Sequence, residues 1–118
     1  PRAVDMGGRL TLPELCALIE RARLVVCNNS GPVHIAASVG TPVVDLYALT
    51  NPQHTPWQVP SLVLFHDVPC RYCYRSACPL GHHLCLRGVE VDEVVAAALE
   101  LYDGAGDAEA RPMPALVA

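Results

Sequence analysis

Residues 24–47 read L-V-V-C-N-N-S-G-P-V-H-I-A-A-S-V-G-T-P-V-V-D-L-Y. Two short apolar runs, Leu24 to Cys27 and Val43 to Tyr47, do not alternate with polar residues. That is the pattern of parallel strands covered on both faces. Between them, Gly31 to Val39 is Ala-rich and long enough for a helix, Gly40 closes it, and Thr41-Pro42 breaks the chain before the second run. Strand, helix and strand in so few residues define a parallel crossover unit.

The flanks extend this rhythm. Residues 3–6 resemble the end of a strand cut off by Gly7-Gly8. Thr11-Leu12-Pro13-Glu14 is a helix start: Thr11 caps, Pro13 falls where its missing N–H costs nothing, and Glu14 closes a capping box. Leu15, Leu18, Ile19 and Ala22 follow at helical spacing, which predicts a helix over about 12–22. Residues 48–60 hold three prolines and no period, so they form a loop, and residues 61–66 alternate weakly as a further strand. Val91, Val94, Val95, Ala98, Leu99 and Tyr102 repeat at helical spacing. The expected fold class is α/β, a Rossmann-like parallel sheet with flanking helices. Residues 1–103 make the domain, and 104–118, rich in Ala, Gly and Pro, make a disordered tail.

Composition narrows the function. With 52% apolar residues the chain can bury a core, and a net charge of −4 without a basic run argues against nucleic acid. No apolar stretch approaches the roughly 20 residues that span a bilayer. No secretory signal is visible, the start at Pro1 rather than Met suggests a fragment or a trimmed chain, and the expected compartment is cytosolic. Cys16 and Cys27 sit in apolar surroundings as small core residues.

The turn between the first strand and its helix carries the chemistry. In open parallel sheets ligands bind at the carboxyl ends of strands, where Asn28 to His34 lies. A helix N-terminus offers unpaired N–H groups and a partial positive charge to an anion. Gly31 removes a Cβ from the approach, Pro32 costs no donor, His34 stands in the first turn, and Asn29 bonds hydroxyls with both ends of its amide. The turn is neither G-x-G-x-x-G nor G-x-x-x-x-G-K-[ST]. Two readings stand on the residues alone: a well-capped turn, or a cradle for a phosphate.

A second cluster, Cys70, Cys73, Cys78 and Cys85, spaces C-x2-C-x4-C-x6-C around His82 and His83. Three readings remain open: reduced thiols, a zinc knuckle, and disulfides formed in vitro. Nothing suggests the electron transfer of an iron–sulfur cluster. Trp57 either faces a cleft or caps the core.

From Gly8 to Trp57 the sequence, including the helix opening, N-S-G-P-V-H-I-A-A and G-T-P-V-V, closely resembles the C-terminal domain of the lipopolysaccharide heptosyltransferases, glycosyltransferase family 9, and the resemblance covers most of residues 3–100. The later C-R-Y-C-Y-R-S-A-C-P-L-G-H-H-L-C-L-R looks like the heptosyltransferase II branch. The resemblance implies the partial C-terminal domain of an inverting two-domain GT-B enzyme, with ADP-heptose or another nucleotide-sugar as donor. A lipopolysaccharide core acceptor and the catalytic carboxylate would sit with an N-terminal domain. By position, Ser30 and Gly31 would offer amides to the donor diphosphate, with Pro32 shaping the turn and His34 beside it. Asn29 would meet the donor sugar, Leu10 the nucleobase, and Thr50 the loop beyond. The sequence departs from the family at Asn29, where an Asp is usual, and at Ala48-Leu49-Thr50, which keeps only the Thr of a G-P-T loop.

No catalytic residue is assigned: Asp5, Asp45 and Asp67 lie near strand ends but match no catalytic position. No cofactor and no metal ligand are assigned, since no carboxylate cluster suits Mg²⁺. A cytoplasmic protein, peripheral to the inner membrane at full length, follows. The competing readings are a stand-alone nucleotide-sugar-binding module and a zinc-stabilised interaction domain. The family's strand order implies a three-stranded parallel core from the later strands, residues 3–6 left without a partner beside 24–27, and an open edge suited to dimer formation.

Overall fold

The computed structural model describes residues 2–104; the expected disordered tail falls outside them except for Gly104. Helix α1 (Leu12–Arg21) opens on the predicted capping box. The Glu14 N–H donates to Thr11 Oγ1 at 3.4 Å, and the Thr11 N–H donates to Glu14 Oε1 at 3.1 Å. These bonds satisfy donors that a bare helix start leaves orphaned. The helix ends one residue short of expectation, with Ala22 as its cap in extended conformation.

Three strands follow: β1 (Val25–Asn28), β2 (Val43–Leu46) and β3 (Ser61–Leu64). They form one parallel sheet in the order β1-β2-β3, with Val25, Val43 and Ser61 in register and so on through Asn28, Leu46 and Leu64. Helix α2 (Gly31–Val39) joins β1 to β2, and Gly40 ends it at φ 78°, a left-handed conformation that glycine adopts without a steric penalty. The Thr41 hydroxyl then donates to the Ile19 carbonyl at 2.8 Å in the interior, tying the entry of β2 to the end of α1. Beyond β3 come a four-residue helix α3 (Leu84–Arg87) and the long helix α4 (Val91–Asp103).

Strand alternation splits the core. Val43 points toward α1 and α2, where it packs with Ile19, Val33, Ala36 and Val59. Val44 points the other way and joins Leu62, Leu64, Ala97 and Leu101 beneath α4. The sheet is therefore covered by helices on both faces, the layering expected of an α/β domain.

Four expectations are corrected, and the open question of Trp57 is decided. Residues 3–6 form no strand and lie exposed, because no strand beside them offers hydrogen-bond partners. The strand expected at 24–27 starts and ends one residue later and is not covered on both faces: Val26 remains 44% exposed, as the edge of the sheet. The strands expected to reach Tyr47 and His66 end at Leu46 and Leu64, and β3 is buried at all four positions instead of alternating. Residues 52–54 of the loop make one turn of 3-10 helix, with Asn51 Oδ1 accepting the Gln53 N–H at 2.9 Å. Trp57 does not cap the core; it is 75% exposed. No helix among the described residues is long and apolar enough to cross a membrane.

Candidate functional site at the carboxyl ends of the strands

The turn after β1 has the geometry of an open helix N-terminus. Ser30 occupies the cap position in extended conformation, but its side chain does not cap α2; the hydroxyl donates back to the Asn28 carbonyl at 3.3 Å. The Asn29 N–H donates to the Leu46 carbonyl at 3.0 Å, which pins the turn to the end of β2. The first helical bond of the turn runs from the Val33 N–H to the Ser30 carbonyl at 3.1 Å. The amides of Ser30 and Gly31 make no hydrogen bond to another described residue. Nothing lies within 4 Å of where a Cβ on Gly31 would project, so space is open beside those two N–H groups. Pro32 occupies the first turn, and His34 is exposed there. Asn29 adds an unusual feature: its Oδ1 is buried and has no hydrogen-bond partner. Such a group costs free energy unless something polar reaches it.

Asn29 and Thr50 come together. They line a cavity of about 120 Å³ with Asn28, Leu46, Ala48 and Leu86. Leu10, half-buried just before the cap of α1, lines neither this cavity nor the other three described here. Of the predicted residues only Asn29 and Thr50 line these cavities; Ser30, Gly31, Pro32 and His34 adjoin Asn29 along the chain but line none of the four, and Leu10 stands apart.

Residues that the sequence did not single out complete the surroundings. Helix α3 is fastened to the end of β3, where the His66 N–H donates to the Cys85 carbonyl at 2.9 Å. Gly88 permits this approach, since a Cβ there would fall 2.3 Å from the His66 ring. Leu86 and Arg87 thereby reach a larger cavity, about 340 Å³, that they share with Asn28 and Leu46. On the other side, Thr50 borders a cavity of about 230 Å³ with His54, Tyr74 and Arg75.

Asp45 lies one layer below. It is fully buried on β2, and neither carboxyl oxygen has a hydrogen-bond partner. Burial pushes its pKa up to about 7. Its register partner Cys27 is pushed to about 11, by burial first and by the neighbouring carboxylate second. The sequence carried a signal for Asp45, an acidic residue inside an apolar strand, but nothing that told buried from exposed.

The cysteine loop folds over the same end of the sheet. Cys70, Cys73, Cys78 and Cys85 line one cavity of about 140 Å³ with Thr50 and His82. Cys70 Sγ lies 3.9 Å from His82 Nε2, and Cys78 Sγ 3.9 Å from Nδ1, so the two thiols approach opposite nitrogens of one ring. Among the described residues no group of three or more His, Cys, Asp or Glu is placed to hold a metal ion, and all six cysteines are free. Backbone N–H groups, chiefly that of His83, hold the Cys78 thiol below its ordinary range.

A parallel sheet with helices on both faces, bearing an open strand-turn-helix at its carboxyl edge, defines an α/β domain with a candidate anion site. The model of glycosyltransferase family 9 (heptosyltransferase) matches residues 2–84, and the chain belongs to that family. It is 33% identical over 99 residues to lipooligosaccharide heptosyltransferase 2 of Campylobacter jejuni, covering 82% of this chain and 31% of the relative. It is 47% identical over 51 residues, 43% of this chain and 15% of the relative, to the lipopolysaccharide core heptosyltransferase OpsX of Haemophilus influenzae. Among solved structures it resembles the glycosyl transferase family 9 protein of Veillonella parvula, with a TM-score of 0.70 and 30% identity over 82% of this chain and 28% of that one. The chain thus spans about a third of the length of these relatives or less.

Proposed function

We propose that this chain is the donor-binding, C-terminal part of an inverting glycosyltransferase that moves heptose from ADP-heptose to the inner core of lipopolysaccharide. The observation that carries the reading is the turn itself. Two unpaired amides, Ser30 and Gly31, stand at the N-terminus of α2 with open space beside them, next to a buried and unpartnered Asn29 oxygen. In the proposed complex the two N–H groups and the helix dipole bind the donor diphosphate, and they stabilise the charge that gathers on it as the glycosidic bond breaks. The His34 imidazole donates to a phosphate oxygen. Asn29 takes a sugar hydroxyl, Thr50 closes the far wall of the cavity, and Leu10 packs on the nucleobase.

No Asp or Glu lines the four cavities at this end of the sheet, so the base that activates the acceptor belongs to another part of the enzyme. By itself this chain binds without transferring. The acceptor is a lipopolysaccharide core sugar held by an N-terminal domain, and the full-length enzyme works on the cytoplasmic face of the inner membrane. The outer edge of β1, unpaired among the described residues and bearing the part-exposed Val26, is a place where a second copy can add a strand.

Calorimetry of this chain with ADP tests the reading. Saturable binding of ADP is expected, and binding of ADP-heptose should weaken about tenfold in Asn29→Ala. Absence of heat at millimolar ADP, with the protein folded, contradicts it.

A further inference from the structure

The chain carries 12 acidic residues against 8 Arg and no Lys, yet its charge is unevenly placed. Four cavities meet at the carboxyl ends of the strands: Thr50 and Leu86 are each common to three of them, and Asn28 and Leu46 are common to two. Not one of the four is lined by a carboxylate, whereas Arg87 lines one and Arg75 two. Neither arginine forms an ion pair with a described residue. Glu90, Asp92 and Glu93 alternate along the chain with the valines of one wall but line none of the cavities, so the linings themselves, with guanidinium groups and no carboxylate, favour a negatively charged ligand.

Arg87 is the better placed of the two. Its cavity, about 340 Å³, shares Asn28, Leu46 and Leu86 with the cavity that contains Asn29, so a ligand can pass from the turn over the ends of β1 and β2 to the guanidinium. The remaining walls, Val89, Val91 and Val94, are apolar and lower the competition from water for that contact. The position of α3 is fixed by the His66–Cys85 hydrogen bond and by the close approach of Gly88 to the His66 ring. The backbone of Arg87 is thereby held in place, and its exposed guanidinium offers a fork of donors to a phosphate or carboxylate.

We propose that Arg87, with Asn28 beside it, forms a second anion subsite next to the Asn29–Gly31 turn. Its ligand is a phosphate or carboxylate group of a bound substrate. The proposal rests on the reading of the turn as the donor diphosphate site only for its place in the reaction, because the subsite has its own residues. Two sources share this chemistry: the diphosphate of the donor, reaching across the strand ends, and an anionic group on the acceptor.

The test is an amide NMR titration of the whole chain with inorganic pyrophosphate, repeated in Arg87→Gln, Arg87→Lys and Arg75→Gln. The wild type is expected to show shifts both at Ser30 to Val33 and at Leu86 to Val89. Arg87→Gln should abolish the second set and weaken pyrophosphate binding there about tenfold, Arg87→Lys should restore part of it, and Arg75→Gln should leave it in place. A repeat in saturating ADP separates the sources. If the donor supplies the anion, ADP alone moves residues 86–89 and pyrophosphate adds nothing; if the acceptor supplies it, those residues respond to pyrophosphate only. Shifts confined to the turn overturn the subsite and spare the donor site. Shifts confined to residues 86–89 do the reverse, and silence at both overturns both. An Arg87→Gln protein that folds and titrates like the wild type also refutes the proposal.

Discussion

Cys27 and Asp45 are register partners on adjacent parallel strands, and both face α2, immediately beneath the turn that starts that helix. The pairing sets a part-buried thiol beside a buried carboxyl that has no hydrogen-bond partner. A charged Asp45 is costly here, so the folded chain favours its neutral form. In the unfolded chain the carboxyl titrates near 3.8, and in the folded chain near 7. As pH rises between those values the unfolded state gives up a proton that the folded state keeps. Stability therefore falls through about pH 4 to 7 and is level above that window, as far as this group determines it. Thermal melts should show Asp45→Asn more stable than wild type at pH 8, by about 1–3 kcal/mol, with the difference shrinking toward pH 4. An Asp45→Asn protein that is less stable at pH 8 would mean the carboxylate has a partner.

The same pairing predicts an order of thiol reactivity. Burial and the Asp45 carboxylate raise the Cys27 thiol to about 11, while backbone N–H groups around Cys78, that of His83 foremost, lower its thiol. Because the thiolate is the reactive form, iodoacetamide at pH 7.5 should label Cys78 well before Cys27, read by peptide mass spectrometry. Equal rates would contradict the environments described.

The capping box of α1 provides a local test. Thr11 and Glu14 exchange hydrogen bonds at the exposed start of the helix, away from the turn. Thr11→Ala should cost about 1 kcal/mol in denaturant unfolding and leave ADP binding unchanged. A large loss of binding would show that the segment around Leu10 is coupled to the ligand, as its proposed contact with the nucleobase allows.

These features were unequally legible in the sequence. Helix α2 was readable to the residue, because Gly31-Pro32 and Gly40 mark its ends through backbone rules that act locally. The core strands and their parallel order were readable from short apolar runs. The ends of β2 and β3 were not, since a strand stops where its neighbour stops pairing, a fact recorded on another strand. Residues 3–6 failed as a strand for the same reason: the apolar pattern was present and the partner was not. At the site, Asn29 to His34 are sequential and could be read as a unit. Arg87 could not, because it comes to the cavity beside Asn28 only through the packing of Gly88 on His66 and the bond to Cys85. Helix α3 is four residues long, too short to show a period.

Gly31 separates the two roles of the turn. Its backbone is not left-handed, and a Cβ would meet nothing in the protein, so Gly31→Ala should fold with stability within about 0.5 kcal/mol of wild type. The added methyl stands in the open space beside the free amides, where the account puts a phosphate. Binding of ADP by calorimetry should fall at least about tenfold, equivalent to about 1.4 kcal/mol. Unchanged affinity would move the ligand away from the turn.

The central claim is that the free amides of Ser30 and Gly31 bind the diphosphate of a nucleotide. Amide NMR during titration of the chain with ADP, with AMP as the control, measures this directly. The Ser30 and Gly31 signals should move furthest, with Asn29, Val33 and His34 following, and ADP should saturate them at lower concentration than AMP. Ser30 and Gly31 signals that stay in place at millimolar ADP, while the protein remains folded, would contradict it.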